Sequence, residues 1–314
     1  MKLTRVAAAV SGVLVTGALL AACGSAPATA PGGASAKPAA ADVAKMISQD
    51  EAVAAGPVGQ NLPHSPMLDK IRQRGQLVWA GSRNTLGFSQ LDPATGKISG
   101  FDAGMADLLA KYLLGKPSAK MQSGGSDTRE GLLGNHTIDV AIQTYTMTPE
   151  RAKLVNFSGP YYMAASGIVV KADNTTIKTA KDLAGKKVAT ESGAAKTALV
   201  TEVPTAQPVL FDTTAQCIAA VEQGRAEAVT LNNASLLGAI QTRSDVKLLD
   251  STFSSNPFGI GEPKDDPVFK QVVDEFLQKI EADGTWTKLW QGTVGKLLKT
   301  PPPAPPKLGS VPGV

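Results

Sequence analysis

Through the middle of this chain of 314 residues, short apolar runs that suit strands alternate with runs that suit helices. In order they read "QLVWAG", "FDAGMADLLAKYLL", "TREGLLGN", "IDVAIQT", "PERAKLV", "GIVVKA", "KVATES", "TAQCIAAVEQG", "AEAVTL" and "ASLLGAIQT". Such alternation specifies an α/β chain with parallel sheets, because each strand must be followed by a helix that covers its face. The last long helix expected, "DPVFKQVVDEFLQKIEADG", carries Val268, Val272, Phe276 and Ile280 at helical spacing and stops at Gly284. In open sheets of this kind ligands settle beyond the carboxyl ends of strands, where loops meet helix starts.

One such junction has unusual chemistry. "TYTMTPERAKLV" places hydroxyls at Thr144, Thr146 and Thr148, then Pro149, Glu150 and Arg151. Thr148 suits an N-cap and Pro149 the first helical position, so "ERAKLV" should carry a helix. A first-turn arginine opposes the helix dipole and costs a few tenths of a kcal/mol. Free N–H groups at the helix start, two hydroxyls facing one side of a strand, and the Arg151 fork together suit a carboxylate. An ordinary helix start with a solvated arginine is the competing reading.

The two ends read differently from the middle. Lys2 and Arg5 precede an uncharged, largely apolar run from Val6 to Ala22 that ends Leu20-Ala21-Ala22-Cys23. A basic start, an apolar stretch and small residues before a cleavage point make a secretory signal. The run is short and interrupted for a membrane span. Removing residues 1–22 lowers the formal charge from +4 to +2, and with no Lys/Arg block nucleic acid is an unsuitable partner. Residues 24–41 are rich in Pro, Gly, Ala and Ser and suit a flexible spacer. "PPPAPPKLGSVPGV" suits an extended tail without a packed core. Cys217, at helical spacing with Ala220 and Val221, suits a small buried core residue.

With these segments in order, the chain resembles the bacterial extracellular solute-binding proteins of polar amino-acid ABC transporters (family 3). The resemblance rests on "IRQRGQLVWAG", "GFDAGMADLLAKYL", "TIDVAIQTYTMTPERAKLVNFSGPYY", "IKTAKDLAGKKVATESG", "CIAAVEQGRAEAVTLN" and the closing "FGIGEPKDDPVFKQVVDEFLQKIEADGTWTKLW". It implies a two-lobe type II periplasmic-binding fold with two crossover hinge strands, near Tyr161–Ala165 and Ser254–Pro257. Lobe 1 would span 62–160 and 258–298, and lobe 2 would span 166–253. The remainder divides into a lipoprotein signal (1–22), a lipidated Cys23 with a flexible linker (23–61) and a Pro-rich tail (299–314). The Leu-Ala-Ala-Cys ending resembles a lipobox, which implies anchoring at Cys23 on the extracytoplasmic face of the membrane.

The resemblance also implies roles. Arg151 matches the clamp for a ligand α-carboxylate, assisted by Thr144 and Thr146. Arg83 and Arg129 match positions that meet a side-chain carboxylate, which favours glutamate or aspartate over glutamine or asparagine. Phe88 and Tyr145 would line the pocket, or else belong to the core. Ser192 and Ala194 match a loop that closes over the ligand. Where the family commonly has an aspartate for the ligand ammonium, this chain has Asn232 or Asn233, with Glu191 the nearest acid. The expected partners are an amino acid and an ABC permease or a membrane sensor receptor, with the chain itself a monomer. No cofactor is implied. Catalysis has no support in the motifs: neither His64, in a loop before the core, nor His136, in a turn, falls with a candidate nucleophile in a catalytic motif, and no metal-ligand spacing occurs.

Overall fold

The computed structural model describes residues 47–241, 243–298 and 302–314. The expected signal, Cys23 and most of the linker lie outside them. The described chain begins with α1 (Gln49–Ala55), α2 (Pro66–Arg74), β1 (Leu77–Gly81), β2 (Asn84–Thr85), β3 (Ser89–Leu91), β4 (Ile98–Ser99), α3 (Phe101–Leu114) and β5 (Ala119–Ser123). It continues through α4 (Arg129–Gly134), β6 (Val140–Ala141), α5 (Pro149–Ala152), β7 (Asn156–Lys171), β8 (Lys187–Thr190), α6 (Ala194–Glu202) and β9 (Gln207–Leu210). Then come α7 (Thr214–Glu222), β10 (Ala228–Asn232), α8 (Asn233–Ile240), β11 (Val246–Leu248), β12 (Phe253–Glu262), α9 (Pro267–Ala282), α10 (Thr285–Gly292) and α11 (Val294–Leu298).

The strands run in the order β5-β1-β6-β12-β7-β10-β8-β9, with β11 beside β7. At the two ends they pair in parallel, β1 with β5 and β6, and β8 with β9 and β10. The middle is antiparallel, so the sheet is mixed rather than purely parallel. Two long strands cause this: β7 runs out of the first end into the second, and β12 returns alongside it. Their pairing runs from Glu262 opposite Asn156 to Phe253 opposite Ser166. It is broken between Phe253 and Asn256, where Ser254 takes a φ of +54°. Such a bulge bends the strand locally, at the point where one lobe gives way to the other.

Each end of the sheet has a core on both faces. In lobe 1 the larger core gathers α2, α3, α9 and α10 around Leu68, Phe101, Phe276 and Trp286. The smaller one holds Tyr145, Phe157 and Val155. In lobe 2, Ile168, Leu183 and Leu199 lie on one face and Cys217, Val229 and Leu236 on the other. Helix α3 is apolar almost all round and accordingly nearly all buried, and it ends at Gly115 in the left-handed region, φ +75°. Asp266 caps α9 by accepting from the Phe269 N–H (2.9 Å) and also accepts from the Ser65 hydroxyl (2.6 Å) and the Met67 N–H (2.9 Å). One carboxylate thus joins the starts of α2 and α9.

Three further sequence expectations change. The linker is not wholly flexible: α1 carries a capping box at Ser48 and Glu51 and buries Ala52 and Val53 in the lobe 1 core. The proline-rich end folds back, with the Gly309 N–H donating to the Gly159 carbonyl (2.8 Å). Leu308 and Val311 pack on the two cores of lobe 1. Helix α5 spans only Pro149–Ala152, because Leu154 stays exposed and gives a longer helix no apolar face to bury.

Candidate functional site

The cleft between the lobes is lined by Ser126, Arg129, Thr144, Thr146 and Arg151 from lobe 1. Ser166 and Asn256 line it from the crossing strands, and Glu191, Ser192, Ala194, Ala195, Leu231 and Asn232 from lobe 2. It encloses about 70 Å³, so the lobes are drawn together.

Arg151 sits as its local sequence dictates. Thr148 caps α5, its hydroxyl accepting from the Arg151 N–H at 3.3 Å, and Pro149 occupies the first turn. The guanidinium donates from Nη1 to the Thr146 carbonyl (2.7 Å) and lies 3.3 Å from Glu130 Oε1 through Nε. Nη2 points to lobe 2: a Cβ built on Gly193 would stand 3.6 Å from it. Glycine there leaves a φ of +76° unstrained and the approach open.

Thr144 does not reach the cleft by strand alternation. Strand β6 ends at Ala141, and Thr144 takes a left-handed φ of +43°, a conformation rare for a β-branched residue. Buried Asp102 holds it, accepting from the Thr144 N–H (2.8 Å) and from the Tyr161 hydroxyl (2.8 Å). Burial pushes the Asp102 carboxyl up to about 6, against the pull of those two donors. Thr146 bridges to Phe258 of β12, which ties the motif to the returning crossover.

Arg129 is 4% exposed. Its Nη1 donates to the Gln143 carbonyl (2.9 Å), its guanidinium lies 4.0 Å over the Tyr145 ring, and its Nε is buried without a partner among the described residues. Burial, and then the charge of Arg151, lower its pKa to about 10. Among the described residues no carboxylate lies within ion-pair distance of it. Facing it from lobe 2 is Glu191, whose Oε1 accepts from the Thr214 hydroxyl (3.0 Å). Burial raises the Glu191 pKa, while Thr214 and Arg129 pull it down.

The other expected residues fall in three places. Ser192 and Ala194 line the cleft around the start of α6. Asn232 also lines it, but its amide oxygen accepts from the Ser235 N–H (2.8 Å) and caps α8. Asn233 instead accepts from the Ala165 N–H on the crossing strand (3.3 Å). The Asn232 acceptor is largely spent on its helix, which leaves Glu191 as the anionic group of lobe 2 in the cleft.

Two expected pocket aromatics belong to the core. Phe88 is fully buried against Phe101, Tyr162 and Phe258. Tyr145 lies beneath the two arginines, its hydroxyl donating to Glu130 at 2.7 Å. Arg83 is exposed and lines a different cavity, because the hairpin that carries it, with its carbonyl accepting from the Leu91 N–H, joins the small β2-β3-β4 sheet.

Sequence reading missed Ser126, Glu130, Ser166 and Asn256. The last two share a hinge network, the Asn256 amide donating to the Ser166 hydroxyl (3.1 Å), which lies 2.8 Å from that of Ser254. Small polar residues inside two otherwise apolar strands were the available signal. Among the described residues no group of three or more His, Cys, Asp or Glu side chains could hold a metal ion.

Two α/β lobes crossed by two strands, with arginines on one wall and an acid on the other, define the type II periplasmic-binding class. Residues 77–295 match the bacterial extracellular solute-binding proteins, family 3, and the chain belongs to that family. It is 36% identical over 201 residues to a glutamine-binding protein of Geobacillus stearothermophilus, covering 63% of this chain and 76% of that one. It is 28% identical over 212 residues to the glutamate-binding protein GluB of Corynebacterium glutamicum (63% and 72%). Among solved structures, an ancestral arginine-binding protein bound to glutamine aligns with a TM-score of 0.65 at 31% identity, over 71% of this chain and 99% of the other. The chain is thus an amino-acid-binding protein of the ABC-transport type, and its relatives are solute-binding proteins rather than enzymes.

Proposed function

We propose that the amino acid is glutamate or aspartate, with glutamine and asparagine bound more weakly, and that the chain hands it to an ABC permease. The observation that carries this reading is Arg129, a buried guanidinium lining the cleft without a carboxylate partner among the described residues. A buried unpaired charge is costly, and a ligand carboxylate relieves that cost. An acidic amino acid brings two carboxylates and one ammonium. Arg151, with Thr144 and Thr146, takes the α-carboxylate; Arg129 takes the side-chain carboxylate; Glu191 takes the ammonium.

The Leu20-Ala21-Ala22-Cys23 ending supports a second part of the proposal, that the mature chain is tethered through Cys23 on the outer face of the membrane. Calorimetry against the common amino acids tests the ligand. We expect glutamate or aspartate to bind more tightly than glutamine by about 2 kcal/mol or more, since the amides leave Arg129 unpaired. Equal or tighter binding of glutamine defeats the acidic assignment.

A further inference from the structure

A second cavity lies on lobe 1 and shares no lining residue with the cleft. It measures about 540 Å³, within the range of roughly 300–1,000 Å³ that small-molecule sites occupy. One side is formed by Trp79 and Met121 on the paired strands β1 and β5, with Ala103 of α3. The other is the small sheet, through Leu91 and Ile98. Gly81 shapes the first side: a Cβ there would stand 2.4 Å from the Trp79 ring and 2.8 Å from Met121 Cγ. Its absence lets the indole turn across the strand and meet Met121.

The charges around this apolar interior are unequal. Arg83, Lys97 and Lys120 line the cavity, against one acid, Asp107. Lys97 is already held by Asp50 at 2.7 Å. Among the described residues neither Arg83 nor Lys120 has a side-chain hydrogen bond or ion pair. Burial pushes the Asp107 carboxyl up to about 7, so near neutrality it opposes an anion only in part. Asp107 is the one acid among three basic side chains here, whereas the cleft sets Glu191 on the wall opposite its arginines. The cavity therefore suits an anion better than a zwitterion.

We propose that this cavity is a second binding site, for a small organic anion with a flat apolar body. The ring lies between Met121 and the Leu91 and Ile98 side, over the buried Trp79, and the acidic group faces Arg83 and Lys120. Met121 and the small-sheet residues Leu91 and Ile98 give the ring an apolar seat, and the guanidinium supplies a planar fork for a carboxylate or phosphate. The site explains why Arg83 stands away from the amino-acid cleft.

The test titrates the full chain, with glutamate at saturation, against indole-3-acetate, benzoate and phenyl phosphate. Indole-3-ethanol (a ring without the acid) and inorganic phosphate (the acid without a ring) are the controls, and saturation-transfer NMR is the readout. We expect at least one aromatic anion to bind one-to-one and both controls to bind at least about tenfold more weakly. The double variant Arg83→Gln, Lys120→Gln should weaken the anion about tenfold or more while glutamate affinity stays unchanged, and Arg151→Ala should leave the anion unaffected. Both substituted positions are exposed, so the fold should survive, with circular dichroism as the check. Three results overturn the proposal: none of the aromatic anions binding below about 10 mM, displacement of the anion by glutamate, or unchanged binding in the double variant.

Discussion

Arg151 and Asp102 do different work on the same loop. In the proposed reading Arg151 takes the ligand carboxylate, through a fork that Thr146 and Glu130 hold in place. Truncating it to alanine leaves a ligand carboxylate buried and unpaired, a loss on the order of 3–5 kcal/mol. Glutamate binding in the micromolar range should vanish from calorimetry while the thermal transition stays cooperative. Arg151→Lys should fail as well, because a point charge cannot reproduce two parallel N–H donors. Near-normal affinity in Arg151→Ala would place the site elsewhere.

Asp102 acts through Thr144 and Tyr161, and its signature is a pH dependence. Its carboxyl titrates near 6 when folded, against 3.8 in the free side chain. Between those values the folded chain holds a proton that the unfolded chain has lost. Its contribution to stability is therefore full below about pH 4 and declines as pH rises through 6, by about 3 kcal/mol in all. Asp102→Asn removes that slope. Urea denaturation from pH 4 to 7 should show the variant gaining on the parent as pH rises, whatever its constant offset. Parallel profiles would mean that Asp102 is not the titrating group.

At the scale of elements, the sequence announced what was periodic and hid what was not. The cap at Thr148, the apolar α3 and the long α9 were legible because spacing and capping residues determine them locally. The antiparallel crossing of β7 and β12 was not, since "NFSGPYYMAASGIVVK" reads as apolar strand whichever neighbour it pairs with. The tail was misread because composition alone suggests extension, while Leu308 and Val311 find apolar surface only in three dimensions. Asn232 shows the same gap within the site. Its place in the cleft follows from the family pattern, but the commitment of its oxygen to Ser235 appears only with the helix built. Aspartate caps a helix as well as asparagine does, and the dipole favours its charge. Asn232→Asp should therefore leave stability within about 0.5 kcal/mol. Glutamate should hold its affinity or gain, while glutarate, which has no ammonium, should lose more than about tenfold to repulsion. A loss for glutamate as large as for glutarate would mean that no ammonium lies near position 232.

Function belongs to the whole molecule, because no lobe completes the site alone. Arg129 and Arg151 stand on one wall of the cleft and Glu191 on the other, and the crossing strands between the walls suit the hinge closure common to such folds. A separate contact between the lobes registers that closure. Leu86, beside the small sheet of lobe 1, rests on Gly238 of α8, where a Cβ would stand 2.7 Å from Leu86 Cβ and 3.2 Å from its carbonyl oxygen. Backbone on one side of this contact cannot yield as a flexible side chain would. Gly238→Ala should hold the lobes apart and weaken glutamate about tenfold, mainly by faster dissociation. The same change raises helix propensity by about 1 kcal/mol, so lobe 2 should become no less stable. Affinity and stability then move in opposite directions, which a merely damaged fold would not produce. Adding Leu86→Gly to Gly238→Ala should restore most of the affinity, and the double-mutant cycle measures the coupling. Additive losses, with no rescue in the double variant, would show that Leu86 and Gly238 do not set the closed state.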